Sequence, residues 1–303
     1  MLTVHDAPAT DGPPAGLDDL VRACTAHDGH APFEEHTLLT LDGARQLQHA
    51  RVLSWDGDRL QACAVLSEGV EGWTVEVGVH PQDRERGVGR HVLRQVVEHV
   101  AGHGGGVLRA WVHGQAPAAH ALGAAWSART ERRLLVLRRP LDDLPEHRCH
   151  DGVLLRRLQV DDDADRDAWL ALTNAAFEGH PDQGGWTRSD LDWRLGTAWT
   201  DGVRFPVAQD HDGLVAGVWT KVEPGSPVGE LHVVAVHPRA HGRRLGRLVV
   251  AQALRDLRDA GCTQAELYVE ADNVPALRLY GWAGFAAGDE HRCLAVDVPP
   301  ATG

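Results

Sequence analysis

A shift of 157 residues lays one part of this chain on another, and that repeat constrains the fold more than any other feature. Val77-Gly78-Val79-His80-Pro81 falls on Val234-Ala235-Val236-His237-Pro238, and Arg86, Gly89 and Arg90 fall on Arg243, Gly246 and Arg247. Seven of the fourteen positions from 77 to 90 are identical to their partners. Downstream, Trp111-Val112 meets Tyr268-Val269 and Leu122 meets Leu279. A period this long marks a duplicated domain, not a solenoid unit. The expected domains are residues 1–143 and 152–303, divided by the polar, proline-containing stretch Pro140 to Gly152.

Each copy is built around a strand, a tight turn and a helix. Glu230 to Val236 is β-branched-rich and reads as a strand. His237-Pro238 ends it, since proline fixes φ and lacks an N–H. After a Gly- and Arg-rich turn, Leu245, Leu248, Val249, Leu254 and Leu257 recur at helical spacing. Free N–H groups at such a helix start, with the helix dipole, make an anion site that suits a phosphate-bearing ligand.

Taken in order, the first copy opens with an expected flexible tail to about Pro14 and a helix carrying Leu17, Leu20 and Cys24. Glu34-Glu35 precede a second short helix, Leu38 to Leu41. Strands follow over Arg51 to Trp55, Leu60 to Leu66 and Trp73 to Val79, then a helix over Gly87 to Val100. Val107 to Val112 and Arg133 to Leu137 are expected to close that copy's sheet. The second copy repeats the plan, ending on a strand from Arg292 to Val298. The fold class is α/β, one mixed sheet with helices, used twice.

Composition sets limits. With 303 residues and 43% hydrophobic, the chain can bury two cores. A formal charge of −13 argues against a nucleic-acid partner. No apolar run reaches membrane-spanning length, and the first residues lack a signal-peptide pattern. Five scattered cysteines without a CxxC fit a reduced, cytoplasmic chain. Nineteen histidines show no metal-ligand spacing, so no metal is expected. Lys221 is the only lysine among thirty basic residues, so it is a candidate for a role arginine cannot fill.

The strand end Val234-x-Val236 and the turn after it resemble the GNAT acetyltransferases, whose turn reads Gln/Arg-x-x-Gly-x-Gly/Ala. The resemblance implies acetyl-CoA as co-substrate. It places Val234, Ala235 and Val236 against the pantetheine, and His241, Gly242, Arg243, Arg244, Leu245, Gly246 and Arg247 around the pyrophosphate. In the first copy the counterparts are Val77, Gly78 and Val79, with Arg84, Glu85, Arg86, Gly87, Val88, Gly89 and Arg90. The second copy departs at His241 and at Arg244, where the pattern has glycine. If that position needs positive φ, Arg244 costs about 1 kcal/mol, offset if its guanidinium meets a phosphate. Asn273-x-x-Ala276-x-x-x-Tyr280 followed by Gly284-Phe285 also matches the family. It assigns CoA contacts to Asn273, Val274, Pro275, Ala276, Leu277 and Arg278, and the acid that protonates the leaving thiolate to Tyr280. Glu230 stands where the family often draws its base. Its partner is Trp73, and Tyr280 maps to Gly123, so the first copy is expected to bind or support and the second to catalyse.

The strings HPDQGGWT (180–187), GELHVVAV (229–236) and LYVEADN (267–273), with APFEEHTLL (31–39), resemble the mycothiol synthase family. That resemblance covers most of both halves. It implies acetylation of the cysteinyl amine of cysteinyl-glucosaminyl-inositol, with substrate contacts at Glu35, Asp182, Lys221, Glu230 and Tyr268, in a pocket between the halves. The partner is then a small thiol-sugar, with no nucleic acid or membrane, and the chain is expected to be a monomer. Blander readings stay open: Glu35 as a solvated helix start, Asp182 as a turn residue, Tyr268 and Tyr280 as packing. A GNAT enzyme for another small amine and a non-catalytic acyl-CoA-binding module also remain open.

Overall fold

In the computed structural model, the described residues are 2–7, 12–34, 37–38, 41, 49–69, 72–114, 117–146, 152–178, 185–196 and 205–301. They form two compact units, one of Met1–Arg133 with His291–Gly303 and one of Leu134–Glu290.

The N-terminal unit holds β1 (Leu2–Ala7), α1 (Leu17–Asp28), β2 (His49–Asp56), β3 (Arg59–Gly69), β4 (Gly72–Val79), α2 (Val88–Gly102), β5 (Gly106–Val112) and α3 (Pro117–Ala125). Its sheet runs β1-β2-β3-β4-β5, and the sixth strand is the C-terminal part of β12 (Ala286–Val298). Only β4 and β5 pair in parallel. Leu2–Ala7 is therefore an edge strand paired with β2, not the flexible tail the sequence led us to expect. Val92, Val96 and Val100 of α2 lie fully buried in one cluster with Val52, Ala64, Leu66 and Val75.

The C-terminal unit begins within β6 (Arg129–Pro140). It continues through β7 (Leu154–Arg157), α4 (Asp163–Ala176), α5 (Arg188–Leu195), β8 (Pro206–Asp210), β9 (Gly213–Val222), β10 (Val228–Val236), α6 (Leu245–Asp259), β11 (Gln264–Glu270) and α7 (Val274–Trp282). Its strand order is β6-β11-β10-β9-β8-β7, parallel only between β10 and β11. Leu245, Leu248, Val249, Leu254 and Leu257, the residues with helical spacing, form the buried stripe of α6. Trp169 of α4 packs edge-on against Phe205 on the opposite sheet face, with Trp219 and Val233 in the same cluster.

The units do not coincide with the copies of the repeat. Leu134–Pro140, which belongs to the first copy, pairs antiparallel with Gln264–Glu270. Arg292–Val298, from the second copy, pairs antiparallel with Val112–Gly106. Each unit thus takes its last strand from the other copy. The expectation that Arg133 to Leu137 closes the first copy's own sheet is corrected by this pairing. The physical demand is the same either way: the exposed edge of a parallel-paired strand needs a hydrogen-bonding partner.

Candidate functional site

The parallel strands at the centre of the C-terminal unit part company early. β10 and β11 are in register only from Val228↔Gln264 to Glu230↔Glu266, although both strands run on. Past Glu230 their facing backbone edges separate, leaving N–H and C=O groups of β10 available to an extended ligand. At the same point β10 carries a bulge: Leu231 pairs with Thr220, Val233 with Trp219, and His232 has no register partner. Leu231 faces the α6 core, while Val233 and Ala235 face α4. Without the extra residue Val233 would share Leu231's face, so the bulge switches the apolar side of the strand, next to Glu230 and His232, which share a face by the two-residue period.

The anion turn forms as expected, with one exchange. Arg244 is the N-cap of α6 at φ 59°, ψ 19°, and Gly242 sits at φ 79°. In the N-terminal unit Gly87 holds the first of these positions at φ 84° and Glu85 the second at φ 61°. Each copy therefore carries one glycine and one side chain at two left-handed positions, in opposite order. The strain of a left-handed non-glycine residue is about 1–2 kcal/mol. Among the described residues, the N–H groups of Gly242, Arg244, Leu245 and Gly246 find no acceptor, and the Arg244 guanidinium has no partner. Arg244→Gly is expected to stabilise the protein by about 0.5–1 kcal/mol, checked by the thermal midpoint, while weakening acetyl-CoA binding if the guanidinium meets phosphate.

The other arginines are occupied. Arg243 Nη1 donates to Asp210 Oδ2 at 2.9 Å, and Arg239 donates to both Asp210 oxygens at 3.0 and 3.2 Å. These bonds, Arg243's first, hold the Asp210 carboxyl far below its ordinary value. Asp210 neighbours His211 and Asp212, the one acidic group of metal-like geometry among the described residues. Its side chain already neutralises two guanidiniums. The N-terminal unit uses the same tie with inverted polarity: buried Asp83 on the turn accepts from Arg59 at 2.5 and 3.0 Å and from Gln61 at 3.0 Å. Arg84, the first residue of that turn, is clamped by Asp28 at 2.7 Å, and Arg247 lies 4.8 Å over the Trp282 ring.

α7 brings the second candidate group. Asn273 caps it, accepting from the Ala276 N–H at 3.2 Å, so its carboxamide oxygen serves the helix. Pro275 sits in the first turn, where its missing N–H costs nothing. A Cβ at Gly246 would meet Leu279 Cδ2 at 3.1 Å and Val236 Cγ2 at 3.4 Å. That close approach seats the α7 turn bearing Leu279 and Tyr280 against the first turn of α6. Tyr280 is buried beside Phe285, ring centroids 6.0 Å apart, and burial pushes its hydroxyl up well above the ordinary phenol value.

On the other sheet face, register places Lys221, Glu230, Glu266 and Arg138 in one row across β9, β10, β11 and β6. Glu230 Oε1 accepts from His232 Nδ1 at 3.0 Å. Burial works to raise the Glu230 carboxyl, but the His232 bond and the charges of His232 and Lys221 outweigh it and hold it below its ordinary value. Tyr268 donates to Glu266 at 3.0 Å, and Arg138 Nε bonds the other oxygen of that carboxylate at 2.5 Å. Burial first, then Glu266 and Glu230, raise the Tyr268 hydroxyl. Lys221 Nζ lies 2.9 Å from Glu223. Glu230, Lys221 and Tyr268 are thus brought together, whereas Glu35 and Asp182 lie outside the described residues. His232, Glu266 and Arg138 were missed. The signal for His232 was its place two residues beyond Glu230, on the same strand face.

The Acetyltransferase (GNAT) family model matches residues 167–285. Among curated relatives, the mycothiol acetyltransferase of Thermomonospora curvata is 41% identical over 283 residues, covering 92% of this chain and 90% of that protein. The mycothiol acetyltransferase of Clavibacter sepedonicus is 41% identical over 301 residues, covering 97% and 93%. The chain belongs to the mycothiol acetyltransferase family. Among solved structures, this family member resembles a tandem GNAT protein from the clavulanic acid biosynthesis pathway, with TM-score 0.70 and 17% identity over 100% of both chains. It also resembles a GCN5-related N-acetyltransferase from Sphaerobacter thermophilus, with TM-score 0.67 and 19% identity over 99% and 97%. Those likenesses speak to the fold.

Within this mycothiol acetyltransferase family member the two copies keep one scaffold and differ in the side chains at 73 and 230 and at 123 and 280. The contact at Gly246 recurs at Gly89, where a Cβ would meet Val79 Cγ2 at 3.5 Å and Leu122 Cδ1 at 3.8 Å. β4 and β5 also part after Val75↔Ala110. Yet Trp73, at the Glu230 position, is core, packed edge-on to His99 and His103. At Gly123, the Tyr280 position, a Cβ would meet Leu294 Cδ1 at 2.6 Å, so β12 fills the space a tyrosine would need. No helix among the described residues is long and apolar enough to cross a membrane.

Proposed function

We propose that this chain transfers the acetyl group of acetyl-CoA to the cysteinyl amine of desacetylmycothiol, cysteinyl-glucosaminyl-inositol, releasing CoA and mycothiol. The observation that carries the reading is the 41% identity to mycothiol acetyltransferases over 92% of the chain. The geometry supports it. The N–H groups of Gly242, Arg244, Leu245 and Gly246, without an acceptor among the described residues, suit a pyrophosphate, and the edge of β10 past Glu230 suits the pantetheine amides. Tyr280 holds its proton at neutral pH and is the acid for the departing thiolate. Glu230 lies on the acceptor side, where ammonium loss must occur before nitrogen can attack. Lys221 and Tyr268, with Glu35 and Asp182, are the contacts for the sugar hydroxyls and the ammonium. The first copy keeps a phosphate turn without acid or base and supports the second, and the protein acts as a cytoplasmic monomer.

The test is direct. The protein is incubated with acetyl-CoA and desacetylmycothiol, and products are followed by liquid chromatography and mass spectrometry. Equimolar N-acetylated product and CoA are expected. Absence of product at millimolar acceptor would remove the reading, and acetylation of an aminoglycoside or a free amino acid instead would redirect it.

A further inference from the structure

The bulge in β10 and the carboxylate beside it point past Glu230. We infer that His232 is the group that receives the acceptor's proton, and that Glu230 acts through it as a positioning residue. This deepens the proposed acetyl transfer and rests on that reading for its substrate.

Three observations carry the inference. His232 is the extra residue of the bulge, absent from the β9–β10 register. A bulged residue next to a cleft is a re-aimed side chain. Its ring is fixed on two sides: Nδ1 bonds Glu230 Oε1 at 3.0 Å, and the ring stands edge-on to Trp219 with centroids 5.8 Å apart. Its side chain keeps 30% of its surface open, against 23% for Glu230. A carboxylate can only accept, so Nδ1 must be the protonated nitrogen. In the neutral ring Nε2 then carries the lone pair. The Glu230 oxygen is already engaged by the ring, whereas the ring's second nitrogen, on the far side of that bond, is the atom with a lone pair to offer. Among the described residues, the charged groups in the same cross-strand row are Lys221 from β9, itself bound to Glu223, Glu266 from β11, which accepts from Tyr268, and Arg138 from β6.

The step balances as follows. Nε2 takes one proton from the acceptor ammonium, and the freed nitrogen pair adds to the thioester carbonyl carbon. The carbonyl re-forms as the C–S bond breaks, and sulfur leaves with the proton of the Tyr280 hydroxyl. The second nitrogen proton returns to the phenolate through water, and the imidazolium gives its proton to solvent. One proton is released per turnover, with an amide and a thiol as products.

Two measurements test this. In ligand-free protein, nitrogen-15 spectra of His232 should show Nδ1 protonated and Nε2 bare when the ring is neutral; the opposite tautomer overturns the inference whatever the substrate proves to be. In turnover, His232→Gln should lose roughly 100-fold or more in kcat/KM with the KM for acetyl-CoA unchanged. Glu230→Gln should lower kcat while leaving the KM for acetyl-CoA unchanged, and should weaken the preference for a protonated Nδ1 in the nitrogen-15 spectra. A His232→Gln enzyme within threefold of the parent makes Glu230 the direct acceptor and sinks the proposal. If the unsubstituted protein fails to acetylate desacetylmycothiol, the substrate reading falls, while the tautomer result still decides the role of His232.

Discussion

Tyr280→Phe is expected to lower kcat by roughly 100- to 10,000-fold, with binding of acetyl-CoA changed by no more than a few-fold and the fold intact. The reason lies in what the substitution removes. The ring packs in the α6 core beside Phe285, and phenylalanine keeps that packing. The hydroxyl has no hydrogen-bond partner among the described residues, so no buried group is orphaned when it goes. What disappears is one proton held ready at neutral pH, because burial raises the phenol above its ordinary range. The sign matters for the pH dependence. A raised phenol stays protonated as pH climbs, so in the parent enzyme no alkaline loss from Tyr280 is expected at the ordinary phenol value near 10. Steady-state kinetics, calorimetric titration with acetyl-CoA and a melting curve measure the three parts separately. Unchanged kcat would reject the assignment of the thiolate acid.

A stop codon after Glu290 should unfold the N-terminal unit while leaving most of the C-terminal one. The deletion removes the strand paired with Val107–Val112 and takes buried Cys293, Ala295 and Val298 with it. It strips both the ladder and part of the core from a unit whose whole stability is on the order of 5–15 kcal/mol. The residues matched by the GNAT family model, 167–285, all remain. Hydrogen exchange followed by peptide mass spectrometry reads the outcome: protection should be lost across Ala62–Val79 and Val88–Val112 and kept in Val215–Leu257. Loss confined to the peptides next to residue 290 would mean that the exchanged strand contributes little to the N-terminal unit.

Much of this architecture was legible before any coordinates. Val-x-Val, His-Pro and the helical leucine period located both strand–turn–helix units, because those patterns are local. The difference between the copies, Trp73 against Glu230 and Gly123 against Tyr280, was also legible, since it needed only the register of the repeat. The exchange of β6 and β12 was not. Both strands have ordinary alternating patterns, and nothing in Leu134–Pro140 says which of two similar sheet edges it will meet. The boundary placed at Pro140 to Gly152 followed composition, which marks linkers but not pairing. Leu2–Ala7 read as a tail because an edge strand beside β2 needs no buried stripe of its own. Arg244 was flagged as costly if its φ were positive, and it is. The compensating glycine at 242 was visible, but its role required the backbone angles. His232 shares Glu230's face by the two-residue period and was readable on that ground; the bulge, which puts Leu231 and Val233 on opposite faces, is what the pattern does not announce.

The Leu294 methyl group at Gly123 has a bearing on the history of the chain. Giving the first copy the tyrosine and carboxylate of the second takes more than one substitution. A tyrosine at 123 has no room until Leu294 retreats, and a carboxylate at 73 would replace a 6% exposed tryptophan inside a packed core. Each reversion alone would be destabilising before it could be useful. The side chains at 73 and 123 are thus tied into their surroundings, and at 123 the neighbour is a leucine supplied by the other copy.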